Sequence, residues 1–182
     1  MNETLRMEFY TGKWDPKNIE KHSIFVTQAD YPLKGFHDLL KAMPAILKEY
    51  PDAHIYVAGN SITAYKSIKE KIKIGGYGAY LRKLMIDLKL IDKVTILGRL
   101  SASQMKDRYL DSSVLVCNSY IENSPNSVGE AMILGTPVVV PRTGGIPSIA
   151  TDNEAVFYEV GNIEAVMNGE IDDFIEEYLR KF

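Results

Sequence analysis

Six short runs rich in β-branched residues recur along the chain: SIFVTQ (23–28), HIYVAG (54–59), VTILG (94–98), SVLVCNS (113–119), TPVVV (136–140) and AVFYEV (155–160). Several are continuously apolar, the pattern of strands covered on both faces. Between most of them lie segments of helical period. In GFHDLLKAMPAILKEY, the residues Phe36, Leu39, Leu40, Met43, Ile46 and Leu47 fall on one face, with Pro44 expected to bend the helix midway. A second helix is predicted over about 77–90, with Tyr80, Leu81, Leu84, Met85 and Leu88 sharing a face, and Ser101 with Gln104 forms a capping-box pattern that opens a third near Met105–Leu110. Strand and helix in alternation demand parallel pairing through right-handed crossovers. The prediction is an α/β fold, a Rossmann-like doubly wound parallel sheet of about six strands with helices on both faces.

Two segments stand outside this alternation. Residues 1–21 read as an extended lead-in or edge element, and residues 60–76 as a loop whose Lys66, Lys69, Lys71 and Lys73 form a solvated face. The chain has 182 residues, 46% of them hydrophobic, enough for one core. Its net charge of −3 argues against nucleic acid as a partner. Nine of the 24 acids but two of the 21 bases lie in residues 152–182, so the body carries +4 and can accept a small anion. Cys117 is the single cysteine and sits in an apolar run, which predicts a buried thiol in a reducing compartment. His22, His37 and His54 are scattered without a second ligand at metal-site spacing, so no metal site is expected. No leader follows Met1 and no apolar stretch approaches the roughly 20 residues needed to span a bilayer, so a cytoplasmic location is expected.

Ligands of an open parallel sheet bind beyond the carboxyl ends of the strands, which directs attention to loops 28–35, 59–64, 98–103, 119–127 and 141–147. One stretch stands out, IENSPNSVGEAMILGTPVVVPRTGG (121–145), with Glu122 and Glu130 flanking seven small or polar residues. Two readings compete. Glu130 stands three residues after Ser127, the capping-box spacing for a helix capped by Asn126 or Ser127. Alternatively, the acids grip the hydroxyls of a ligand whose pyrophosphate meets backbone amides at the helix mouth, with Gly144 and Gly145 nearby.

The Glu-x7-Glu spacing followed by AMILGTPVVV and Gly-Gly resembles the signature of the retaining family-four glycosyltransferases, the glycosyl transferases group 1. Lys34-Gly35, IYVAGNS (55–61), DKVTILGRLS (92–101) and SSVLVCNSYIEN fall in the expected order, so the resemblance covers about residues 23–160. It implies one half of a GT-B fold, the carboxyl-terminal domain that binds the nucleotide sugar donor. It places Glu122 near the transferred sugar, Glu130 on the ribose hydroxyls, Lys34 on the diphosphate leaving group, and Arg99 and Leu100 beside the base. Ligand contact is expected also of Asn126, Ser127 and Val128, of Gly59, and of Gly144 and Gly145. The resemblance implies no cofactor beyond the substrate, and catalysis without metal.

The chain departs from the family pattern in three places. Ala29 occupies a position where relatives carry an Arg, Ser148 one where they often carry Glu, and the motif interior NSPNSVG brings Asn123, Ser124 and Asn126 as additional polar contacts. A complete GT-B enzyme needs a second domain of comparable size. Residues 1–21 are therefore expected to be the interdomain connection, with Phe9, Tyr10 and Trp14 packing at an edge or against the absent half, and residues 22–182 the donor-binding domain. Any membrane contact belongs to that absent half. The alternatives are a sugar-nucleotide epimerase of GT-B architecture and a non-catalytic nucleotide-binding module.

Overall fold

A computed structural model describes residues 6–60 and 76–162; the lysines at 66, 69, 71 and 73 and most of the acidic segment lie outside the described residues. Six strands, β1 (Glu20–Val26), β2 (His54–Ala58), β3 (Val94–Gly98), β4 (Ser112–Val116), β5 (Val138–Pro141) and β6 (Val156–Tyr158), form one sheet in the order β3-β2-β1-β4-β5-β6. Every pair is parallel. The chain builds outward from β1 through β2 to β3, then returns to β4 on the other side of β1, so the direction of winding reverses between β1 and β4.

The predicted strands are all present, β6 shortened to three residues, and three of the boundary differences have local causes. β1 starts at Glu20 rather than Ser23, entering through His22, whose φ of 55° breaks the register with β4. β5 starts at Val138, because Pro137 has no N–H to give to the ladder and the Thr136 hydroxyl is turned to the Tyr109 carbonyl at 3.0 Å. β4 stops at Val116, which releases Asn118 and Ser119 to face the carboxyl-end crevice.

Side-chain alternation sorts the strands onto two cores. Ile24 and Val26 join Ile55 and Val57 against α1 (Phe36–Glu49) and α2 (Gly76–Asp87), where Phe36, Leu39, Leu40, Met43, Leu81 and Met85 are buried. Phe25, Leu115, Val138 and Val140 face the other way, against Tyr109 of α3 (Ala102–Asp111) and Val128, Ala131 and Leu134 of α4 (Asn126–Leu134). Each fully buried side chain of this kind is worth about 1.5–3 kcal/mol. Pro44 is accommodated inside α1.

Two helix expectations need correction. Tyr80 does not share the buried face of α2; it is 43% exposed and its ring lies against Tyr77, because residue 80 is one position, about 100°, away from the 81/85 stripe. The regular helix also ends at Asp87, after which Lys89 turns through a φ of 57° and tucks Leu90 into the core. The capping box of α3 is present in both directions, Gln104 N–H to Ser101 Oγ and Ser101 N–H to Gln104 Oε1.

The segment before β1 is bound to this domain. Phe9 is fully buried, edge-on to Tyr109 with ring centroids 5.8 Å apart. Trp14 donates its backbone N–H to the Leu134 carbonyl at 2.7 Å and its indole N–H to the Ser112 carbonyl at 2.8 Å. Tyr10 faces outward, 55% exposed. Phe9→Ala should therefore cost about 3–5 kcal/mol of unfolding free energy in urea, whereas Tyr10→Ala should change it by less than about 0.5 kcal/mol. Equal, small effects would show that the segment is not part of the folded unit.

Candidate functional site

A cavity of ≈ 280 Å³ opens where the winding reverses, between the carboxyl ends of β1 and β4 and the start of α4. Lys34, Asn118, Ser119, Glu122, Asn126 and Ser127 are among the residues that line it. Two loops, with Lys34 and Glu122 lying 88 positions apart in the chain, must be held together for this to exist. Glycine does that work. Lys34 ends a 3-10 turn (Pro32–Lys34), and Gly35 follows at φ 64°, its N–H bonded to the Pro32 carbonyl. A β-carbon at Gly35 would stand 1.9 Å from the Asn118 carbonyl oxygen, so only glycine allows the two backbones to close, and Tyr120 N–H then reaches the Leu33 carbonyl at 2.8 Å.

The β4–α4 loop is gripped from its other side by Gly144 and Gly145. A β-carbon on Gly144 would lie 1.5 Å from the Glu122 carbonyl oxygen and one on Gly145 1.7 Å from that of Asn123. Gly145 N–H donates to the Glu122 carbonyl at 3.1 Å. The Gly-Gly pair is thus a backing for the loop that carries Glu122 and does not line the cavity. Ser148 closes the following turn on the Gly145 carbonyl.

Clamped in this way, Glu122 meets Lys34. The Lys34 ammonium bonds Glu122 Oε1, and the Ser119 hydroxyl donates to the same oxygen at 2.7 Å. The two side chains are only 16% and 14% exposed. Burial pulls the Lys34 pKa down, but the hydrogen bond and charge of Glu122 outweigh it and hold the ammonium above its usual value. The pair presents a cation and a carboxylate to one small space at the mouth of α4.

Glu130 lies elsewhere and its environment overturns the capping-box reading. Pro125 occupies the cap position and makes no side-chain cap bond; the helix has begun at Asn126, so Ser127 is already inside it. The Glu130 carboxylate, in a residue 4% exposed, accepts Arg6 Nη2 at 2.8 Å and Nε at 3.2 Å on Oε1, and the Tyr109 hydroxyl at 3.1 Å on Oε2. Burial, with the Glu130 charge second, pushes the Tyr109 hydroxyl well above its ordinary value. Val128 is fully buried in the core beneath the helix.

Gly59, Arg99 and Leu100 sit past β2 and β3. Gly59 N–H bonds the Gly98 carbonyl at 2.9 Å, Arg99 Nε donates to Asn60 Oδ1 at 2.9 Å, and Asn60 Nδ2 donates to Asp30 Oδ2 at 2.7 Å. This chain ties the ends of three strands along the rim, while Leu100 packs partly buried on the second core. Ala29 is 2% exposed in the first core, so position 29 sends no cation to the cavity. Cys117 is buried, and burial pushes its thiol up to about 11, which leaves it inert at neutral pH. His22 is paired with Asp52 and His54 with Thr95, while His37 sits between the hydroxyls of Tyr77 and Tyr120, at 3.0 and 3.4 Å, beside Asp38. Among the described residues no three His, Cys, Asp or Glu side chains converge, and no helix is long and apolar enough to cross a membrane.

Arg6, Tyr109, Ser119 and Asn118 were not singled out by the sequence. Ser119 could have been, since it stands three residues before Glu122 at a strand end. Nothing local connects Arg6 with a carboxylate 124 positions away.

Residues 8–181 match the family described as glycosyl transferases group 1. An uncharacterized glycosyltransferase of Methanocaldococcus jannaschii is 33% identical over 130 residues, which is 71% of this chain but 29% of that protein, so the chain spans about a third of such a relative. The Anabaena protein HepE, solved in complex with UDP and glucose, superposes with a TM-score of 0.72 at 20% identity, over 93% of this chain and 46% of that one. The C-terminal domain of a glycosyl transferase group 1 family protein (LpcC) from Francisella tularensis superposes with a TM-score of 0.64 at 20% identity, over 96% of this chain and 83% of that domain. With the family matched over nearly its whole length and the fold shared from β1 to β6, the chain belongs to the glycosyl transferases group 1.

Proposed function

We propose that this chain is the donor-binding domain of a retaining glycosyltransferase, and that the cavity between β1 and β4 receives the diphosphate and sugar of a nucleoside diphosphate sugar. The observation that carries this reading is the convergence of Lys34, Glu122 and the mouth of α4 on one cavity at the winding reversal. A lysine ammonium and the positive end of a helix attract a diphosphate, and they stabilise it further as it leaves. A carboxylate and neighbouring polar side chains suit sugar hydroxyls. HepE, which shares the fold, has been seen with UDP and glucose, and the Francisella domain is a C-terminal domain; both support the donor-half reading.

In this proposal Lys34 neutralises the leaving diphosphate, Glu122 orients the transferred sugar, and Arg99 with Leu100 borders the base. Glu130 holds the ribose hydroxyls after Arg6, whose side chain is half exposed, yields part of its hold on Oε1. Lys34 and the helix amides supply the positive charge that a metal provides in other transferases. The acceptor, a glycan or a lipid-linked sugar, belongs to a second domain outside this chain, with which the enzyme works in the cytoplasm or at the inner face of the membrane. The isolated chain should bind donor and turn over negligibly.

Calorimetric titration with UDP, GDP and ADP, without divalent metal, tests the reading: one of them should bind, and failure of all three would end it. Lys34→Ala should weaken that diphosphate roughly 10- to 100-fold, the worth of a charge-assisted hydrogen bond. Part of that loss comes from exposing the ligand to an unpaired Glu122. The Lys34→Ala/Glu122→Gln double variant should accordingly recover some affinity.

Glu130→Gln separates ligand contact from support of the fold. It should lower stability by about 1–3 kcal/mol, because the buried Tyr109 hydroxyl loses its charged acceptor. It should also erase the preference of the domain for a ribonucleotide over its 2′-deoxy counterpart. A stability loss with that preference intact would leave Glu130 a purely structural residue.

A further inference from the structure

Asn118 has no assigned role, and its environment is anomalous. The residue is 7% exposed, and its side-chain Nδ2 is buried without a hydrogen-bond partner. A buried amide group left unsatisfied is costly and rare in folded proteins. It is also not an accident of a loose loop. Asn118 is fixed through its own backbone, whose carbonyl oxygen faces Gly35 at a distance that excludes any β-carbon, and its neighbour Cys117 accepts the Tyr158 hydroxyl at 3.0 Å. Asn118 is therefore held on a rigid wall of the cavity, among its lining residues with Lys34 and Glu122.

The charges nearby say which ligand group completes it. A diphosphate oxygen can only accept hydrogen bonds, and it is drawn toward the Lys34 ammonium and repelled by the Glu122 carboxylate. A hydroxyl both accepts and donates. Placed in the part of the cavity shared by Asn118 and Glu122, hydroxyls satisfy the amide donor and the carboxylate acceptor together, while Ser119 holds Glu122 in place at 2.7 Å. We propose that Asn118 is a specificity residue for the sugar, its buried Nδ2–H donating to a hydroxyl oxygen of the glycosyl group of the donor. This rests on the donor-binding reading above. The polar carboxamide is retained at a cost to stability because the ligand, not the protein, supplies its partner.

The test compares each bound diphosphate with its sugar form, UDP with UDP-glucose and GDP with GDP-mannose, by calorimetry on the whole chain, for wild type and for Asn118→Leu, which keeps the branched shape and removes the donor. The variant should bind the bare diphosphate within about twofold of wild type and the sugar nucleotide roughly three- to tenfold more weakly. Its melting temperature should be equal to or above that of wild type, since an orphaned polar group has been replaced by an apolar one. Asn118→Ala gives the same comparison if leucine is too bulky for the wall. Equal weakening of diphosphate and sugar nucleotide, a lowered melting temperature with no change in the sugar nucleotide's relative affinity, or no effect on any ligand would each overturn the assignment. Absence of any diphosphate binding by wild type is a different failure, which removes the donor-binding reading itself.

Discussion

The site depends on two places where backbone touches backbone. Gly35 lies against the Asn118 carbonyl, and Gly144 and Gly145 lie against those of Glu122 and Asn123, at separations that no other residue can occupy. Between these contacts the β4–α4 loop has little freedom, so the Lys34 ammonium and the Glu122 carboxylate are held face to face rather than finding each other by side-chain search. Preorganisation of this kind is what a binding site needs, because disorder in the charged groups would have to be removed again when a ligand arrives.

The sheet explains why the contacts occur at that point. With the order β3-β2-β1-β4-β5-β6, the connections leaving β1 and β4 run to opposite faces, and no crossover fills the space between them. The loop after β1 and the loop after β4 border the resulting crevice, and the strands beneath them are pinned by the two cores. Even the segment ahead of β1 takes part, since Phe9 and Trp14 anchor it on α3 and α4 and so deliver Arg6 to the buried Glu130.

What could be read from the sequence follows the range of the interactions. All six strands, the capping box of Ser101 and Gln104, and the burial of Cys117 are governed by residues close in sequence, and each is found in the structure. The ordered motifs also led to Lys34 and Glu122, which the structure brings together from 88 positions apart. Glu130 shows the limit. Its spacing from Ser127 suggested a cap, but capping requires the helix to start at the right residue, and Pro125 moved that start; the carboxylate then went to partners 124 and 21 positions away, which no local pattern encodes. The glycine pair shows a different limit. Small residues after a strand carry no sign of which neighbour they meet, and the contact of Gly144 and Gly145 with the Glu122 and Asn123 carbonyls is visible only in the folded chain.

The Lys34–Glu122 pair finally bears on how a donor would enter. Two charges that are each about one-sixth exposed have lost much of their hydration and depend on one another, so a ligand offering only an anion would free Lys34 at the expense of leaving Glu122 unpaired in the same space. A ligand that carries a diphosphate and adjoining hydroxyls avoids that difficulty, since the ammonium can turn to the phosphate while the carboxylate turns to the sugar. On the proposed donor-binding reading, the ion pair would favour a ligand that joins an anion to hydroxyls over a simple anion of equal charge, because only the former gives both charges a new partner.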